Sequence, residues 1–209
     1  MRSVIFKAFV TNLGKYTEGE LVGQWLNFPI EHDPEIDVRE AINEFLCDEV
    51  RIDGVRYEEY FITDYDSDIA GLTDCFGEYE DLMMLNFLAH KIKDMDISRE
   101  QLEAMIEYGE YTGSVEELIN LTDNGECFYF LPDVKTDYDL GYEYAENSGQ
   151  FTEALQSLGM LASYIDYEAY GRDIRLEECG LHTDNGYIVL TDDITTYFDS
   201  ATDEIPDFD

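Results

Sequence analysis

The spacing of apolar residues changes along this chain, and the changes mark out its elements. Val4 to Thr11 is a short apolar run rich in β-branched and aromatic residues, which predicts a strand. Asn12-Leu13-Gly14 is a turn signal, and Leu21 to Ile30 (LVGQWLNFPI) predicts a second strand ending at Pro29. Asp33-Pro34 predicts the cap and first turn of a helix reaching about Leu46, with Val38, Ile42, Phe45 and Leu46 on one face. Glu59 to Asp64 (EYFITD) alternates and predicts a third strand.

Residues 79–121 predict helices throughout, with Leu82, Leu85, Leu88, Ala89 and Ile92 in one stripe. Ser98 with Gln101, and Ser114 with Glu117, fit the capping box, in which a hydroxyl takes up an orphan N–H at a helix start. Cys127 to Leu131 (CFYFL) predicts a short strand. Residues 136–147 and 152–171 predict helices, the second interrupted near Gly159 and stopped at Gly171. Tyr187 to Leu190 predicts a last strand after the Asp184-Asn185-Gly186 turn. The fold class expected is α+β, an elongated chain of three small domains: an α+β unit over residues 1–70, a helical unit over 71–121 and a mixed α+β unit over 122–191. An acidic tail over 192–209, with little periodicity, is expected to be mobile.

Charge changes this picture. The 209 residues carry 12 Lys and Arg against 49 Asp and Glu, a formal net charge of −37, yet 14% of them are aromatic. A disordered acidic segment has few aromatics and too little apolar surface to fold. Here acids and rings interleave, as in YDLGYEY over residues 138–144, so a folded body with an acidic skin is expected. Such a skin repels nucleic acid and membranes and attracts proteins built to bind them. Repulsion within one sphere is costly, so several small cores in a row fit the charge better. The excess is also uneven. Between residues 100 and 171 Lys135 is the one cation among sixteen acids, and beyond Arg175 there are ten acids and no Lys or Arg.

Candidate chemistry is sparse. The chain has no G-x-G-x-x-G, no G-x-x-x-x-G-K, no H-E-x-x-H and no G-x-S-x-G. His32, His90 and His182 have no ligand spacing. Asp64, Asp66 and Asp68 begin like a calcium loop, but Ile69 stands where the sharp turn needs Gly and Cys75 where a bidentate Glu is needed. No metal or other cofactor is expected. Carboxylate pairs are so common that none stands out as an acid/base couple, although a glycosidase defines its pair in space rather than in sequence. Cys47, Cys75, Cys127 and Cys179 are far apart and form no C-x-x-C. The start MRSVIFKAFV lacks an apolar signal region, so reduced thiols and a cytoplasmic location are expected. No apolar run approaches the length of a membrane span.

Two readings of the acidity remain. It could serve solubility or adaptation to salt. It could instead copy a polyanion: duplex DNA carries one charge per ~1.7 Å of axis, so a charge of this size corresponds to roughly 60 Å of duplex.

Specific strings favour the second reading. FVTNLGKYTEGELVGQW over residues 9–25 resembles the N-terminal signature of the ArdA antirestriction proteins. YIDYEAYGRD over residues 164–173 is similar to that family's C-terminal signature, and TDNGY over 183–187 follows it as a turn and strand do there. The resemblance spans about residues 4–190. It implies a protein of mobile genetic elements, an elongated homodimer of three small domains per chain that mimics bent B-form DNA. Its partner would be a type I restriction-modification enzyme, in the DNA-binding groove of the methyltransferase core, with no catalysis and no cofactor. The family's acidic antirestriction motif would fall near Glu126 to Glu146. Its counterparts here would be Glu126, Asp133, Asp137, Asp139, Glu143 and Glu146. The chain departs from compact members by extra length before Tyr60 and after Leu190. Two other classes compete with this reading: an acidic module binding other basic DNA-binding proteins, and an acid-rich hydrolase.

Overall fold

A computed structural model describes residues 4–33, 35–147 and 149–206. It shows a mixed α+β protein with eight α-helices and two three-stranded antiparallel sheets among the described residues. The chain forms two compact units. One contains Met1–Asp96, Tyr111–Asp123 and Thr195–Asp209; the other contains Ile97–Glu110 and Asn124–Ile194. Residues 97–110 belong with the second unit and the C-terminal segment from Thr195 with the first.

In the first unit the sheet is ordered β2-β1-β3, with β1 at Phe6–Asn12, β2 at Gly23–Phe28 and β3 at Tyr60–Ser67. Phe6, Ala8 and Val10 alternate into the core because successive side chains of a strand face opposite ways. Phe6 stacks on Phe28 with ring centroids 5.0 Å apart. β3 runs further than the expected Glu59–Asp64, and its end carries Asp66, paired with Lys7 of β1 at 2.8 Å. The Asn12-Leu13-Gly14 signal opens a short helix, α1 (Leu13–Thr17), rather than a simple turn. Asn12 is fully buried; its Oδ1 accepts from the Lys15 amide and its Nδ2 donates to the carbonyls of Val50 and Arg51.

The next helix, α2 (Val38–Asp48), starts later than expected. Its cap is Asp37, which accepts from the Glu40 amide; Pro34 of the expected cap lies outside the described residues. The long helical stretch resolves into α3 (Leu82–Asp94), α4 (Arg99–Tyr108) and α5 (Val115–Thr122). Both predicted serine caps form: Ser98 accepts from the Gln101 amide and Ser114 from the Glu117 amide, each at 3.1 Å. The α3 stripe of Leu82, Leu85, Leu88, Ala89 and Ile92 is buried as expected.

The C-terminal segment differs from the mobile tail expected over 192–209. Phe198 is buried, with its ring 5.0 Å from that of Phe87 on α3. Asn120 on α5 holds it: Oδ1 accepts from the amides of Tyr197 and Phe198, and Nδ2 donates to the Phe198 carbonyl at 2.8 Å. The partners that bury this ring, Phe87 and Asn120, are far away in the sequence, which is why the local pattern does not show this anchor. Residues 207–209 lie outside the described residues.

In the second unit the sheet is ordered β4-β6-β5, with β4 at Phe128–Leu131, β5 at Leu181–His182 and β6 at Tyr187–Leu190. The helices are α4, α6 (Asp137–Asn147), α7 (Gly149–Leu158) and α8 (Tyr167–Glu178), with a 3-10 segment over Gly159–Tyr164. The helix expected over 152–171 is thus broken near Gly159 as predicted. Gly171, however, lies inside α8 and does not stop it; the helix ends at Cys179 in a left-handed conformation. Val134, Leu140, Ile174, Tyr187 and Val189 form the core between these elements. No helix of the described residues is long and apolar enough to cross a membrane.

Candidate functional site

The segment from Asn124 to Asn147 carries the six acids singled out above. It begins with a 3-10 turn, Gly125–Cys127, enters β4, and crosses to α6. Thr136 caps α6 in both directions: its hydroxyl accepts from the Asp139 amide at 3.1 Å and donates to the Asp139 carboxylate at 2.6 Å. Burial of Val134 and Leu140 on either side of that cap fixes how the helix enters the core.

The structure places the six acids in different settings. Glu126 and Asp133 are exposed, on the turn before β4 and the crossing after it, and Glu146 is exposed near the end of α6. Asp139 is half-buried in the cap. Glu143 is half-buried and accepts from the Asn147 side chain at 2.5 Å. Asp137, the first residue of α6, faces inward. Arg175 of α8 grips it with two hydrogen bonds, Nε to Oδ1 at 2.7 Å and Nη2 to Oδ2 at 3.2 Å, and His182 Nε2 lies 2.9 Å from Oδ1. A carboxylate only accepts, so His182 carries its proton on Nε2. Its Nδ1 is buried without a partner among the described residues. The Arg175 hydrogen bonds, with a smaller one from His182, hold the Asp137 carboxyl at about 2 against the opposing effect of burial. Asp137 therefore ties α6 to α8 and β5, whereas Glu126 and Asp133 project charge outward with no cation beside them among the described residues.

Lys135 leaves that charge in place. Its Nζ donates to the Asp184 carbonyl at 2.6 Å and forms no ion pair among the described residues. The Asp184–Gly186 turn it touches is built by Thr183, whose hydroxyl accepts from the Asn185 and Gly186 amides and donates to the Gly186 carbonyl. Two acids of α4 serve the same turn: Glu103 accepts from Asn185 Nδ2 and Glu107 from the Asp184 amide.

Two features of the site were not picked out from the sequence. The first is glycine packing. A Cβ on Gly171 would lie 2.6 Å from the Gly141 amide nitrogen and would overlap the Asp137 carbonyl, so α6 and α8 meet backbone to backbone. Glycine inside a helix is destabilising by itself, and that cost is the signal that could have revealed a packing role. The second is a tyrosine framework. Tyr144 and Tyr187 both donate to the Glu178 carboxylate, at 2.9 and 3.1 Å, while Tyr138 and Tyr142 set their rings edge-on to Tyr167. Burial first, then the Glu178 charge, raises both donor hydroxyls, so they stay protonated.

No group of three or more His, Cys, Asp or Glu among the described residues could hold a metal ion. Burial, more than the neighbouring acids, pushes the Cys127 thiol up, away from the reactive thiolate. A family model for antirestriction proteins of the ArdA type matches residues 8–189, nearly the whole chain and all of both signature strings. The chain belongs to the ArdA antirestriction family. A comparison with curated proteins returns no match. Membership in ArdA implies an antirestriction function, exercised on restriction enzymes by a non-catalytic inhibitor. Within the ArdA match lie Glu126 to Glu146 and the Gly141–Gly171 contact that supports them.

Proposed function

We propose that this protein blocks type I restriction-modification enzymes by mimicking B-form DNA and occupying the DNA-binding groove of the methyltransferase core. The observation that carries the reading is the excess of acid in the stretch from 100 to 171, where one lysine stands among sixteen acids and is engaged by a carbonyl, and where Glu126, Asp133 and Glu146 are exposed. Carboxylates spread over a folded surface can stand where phosphates stand, and a basic groove cannot easily reject them. The protein acts in the cytoplasm as a homodimer in this reading, without catalysis. An apolar surface is available for self-association: Leu158, Met160, Leu161 and Tyr164 are exposed in a segment where Glu153 is the one acid between 149 and 165. Between two equally acidic chains, repulsion is weaker across such a gap.

Stoichiometry tests the reading. When a purified type I enzyme cleaving DNA is titrated with this protein, activity should fall to zero at a fixed molar ratio that does not change with incubation time. Continued inactivation by a small fraction of the enzyme's amount would mean catalysis and would sink the proposal. Equal inhibition of unrelated basic DNA-binding proteins would favour a general acidic interaction module instead.

A further inference from the structure

A shallow cleft of about 320 Å³ opens between β4 and α6, lined by Tyr129, Glu143, Tyr144 and Asn147. Its walls come from a strand and a helix. Tyr129 stands on β4 with 44% of its surface exposed. Glu143 and Asn147 are one helical turn apart and share an edge of α6. The amide Nδ2 of Asn147 donates to Glu143 Oε1 at 2.5 Å, which orients the carboxylate and leaves the Asn147 carbonyl oxygen as an acceptor. Tyr144 is anchored behind them by its hydrogen bond to Glu178. Among the described residues no Lys, Arg or His pairs with Glu143.

The chemistry of these walls selects a ligand class. Aromatic faces attract cations. A carboxylate accepts the forked N–H groups of a guanidinium, which is also the cation that stacks best on a ring. Neither phosphate nor a carboxylate would be welcome beside Glu143. We propose that this cleft is a binding site for a guanidinium group, supplied by an arginine side chain of the target enzyme. The inference rests on the function proposed above only for the source of that arginine. It adds a discrete anchor, in which Tyr129 stacks on the planar cation and Glu143 accepts its N–H groups, to a surface that otherwise works by summed charge.

The test uses the full chain, labelled with carbon-13 in its tyrosine rings, titrated with methylguanidinium chloride and followed by NMR. Sodium chloride at equal ionic strength controls for screening, and methylurea controls for shape without charge. Ring signals of Tyr129 and Tyr144 should move and saturate with methylguanidinium alone. Tyr129→Leu, which keeps an apolar strand residue but removes the aromatic face, and Glu143→Gln should each weaken binding by about two- to fivefold. Glu126→Gln, an exposed acid that does not line the cleft, should leave it unchanged. Shifts that never saturate, or an equal loss from Glu126→Gln, would reveal diffuse counterion attraction and overturn the inference. The titration contains no restriction enzyme. A saturable cleft therefore stands even if inhibition fails, and an effective inhibitor whose cleft does not bind loses this inference alone.

Discussion

Gly141 and Gly171 are in mutual contact: a Cβ on either would fall 2.6–2.8 Å from the amide nitrogen of the other. The acidic segment from Asn124 to Asn147 is thereby set against helix α8, because the first residue of the close-packed helix α6 is Asp137 and its partner Arg175 lies one turn beyond Gly171. A helix-interior glycine normally gains about 1 kcal/mol on replacement by alanine. Here the added methyl meets backbone that cannot step aside, a kind of overpacking that costs typically about 1–3 kcal/mol. Gly171→Ala should therefore lower the urea midpoint of unfolding. A raised midpoint would show that α6 and α8 are not packed this closely.

Asp137 gives a prediction with a pH sign. Its carboxyl is depressed in the folded state to about 2, from an ordinary value of 3.8, chiefly by Arg175. The group therefore contributes stability that is present above about pH 4 and lost as pH falls toward 2. A shift of this size corresponds to on the order of 2 kcal/mol. Asp137→Asn should be destabilised by about that amount at pH 7, and the difference from the parent chain should shrink steadily between pH 4 and pH 2. A difference that does not change with pH would mean that the charge of Asp137 is not what Arg175 reads.

Much of the fold was legible in the sequence, and the failures have definite causes. Strands β1, β2 and β6, the buried stripe of α3 and the serine caps of α4 and α5 follow from local period and local hydrogen bonding. Gly171 was misread as a helix stop because a glycine that ends a helix and one that lets a second backbone approach look alike until the partner, Gly141, is known. Asp37 displaced Asp33 as the cap of α2 because several acids there can take up the same orphan N–H groups. At the candidate site, order along the chain points to an acidic segment. It could not separate the inward Asp137 from the outward Asp133, since only Arg175 and His182, far along the sequence, make that difference.

The Asn120 clamp predicts a local opening. Its side-chain amide is the partner of the Tyr197 and Phe198 amides and of the Phe198 carbonyl. Asn120→Ala would leave buried polar backbone unpaired, a loss of about 1–3 kcal/mol. Amide exchange at Tyr197 and Phe198 should accelerate far more than exchange in β1. Unchanged protection at Phe198 would show that its ring contact with Phe87, and not the clamp, holds the segment.

Distributed charge makes single neutralisations mild. Exposed ion pairs contribute roughly 0–1 kcal/mol each. Glu126→Gln, Asp133→Asn and Glu146→Gln should each weaken inhibition only slightly, and the triple variant should weaken it by about the product of the three. If one of these changes abolished inhibition in a folded protein, a discrete contact would replace the summed charge.

The central claim is that the protein takes the place of DNA. Competition on a purified type I methyltransferase measures this directly, with a fluorescent duplex carrying the recognition sequence as the displaced ligand. The account predicts that rising concentrations of this protein release all of the duplex, and that added duplex shifts the release curve in proportion to its concentration. A ternary complex, with duplex and this protein bound to the enzyme together and no change in duplex affinity, would contradict it.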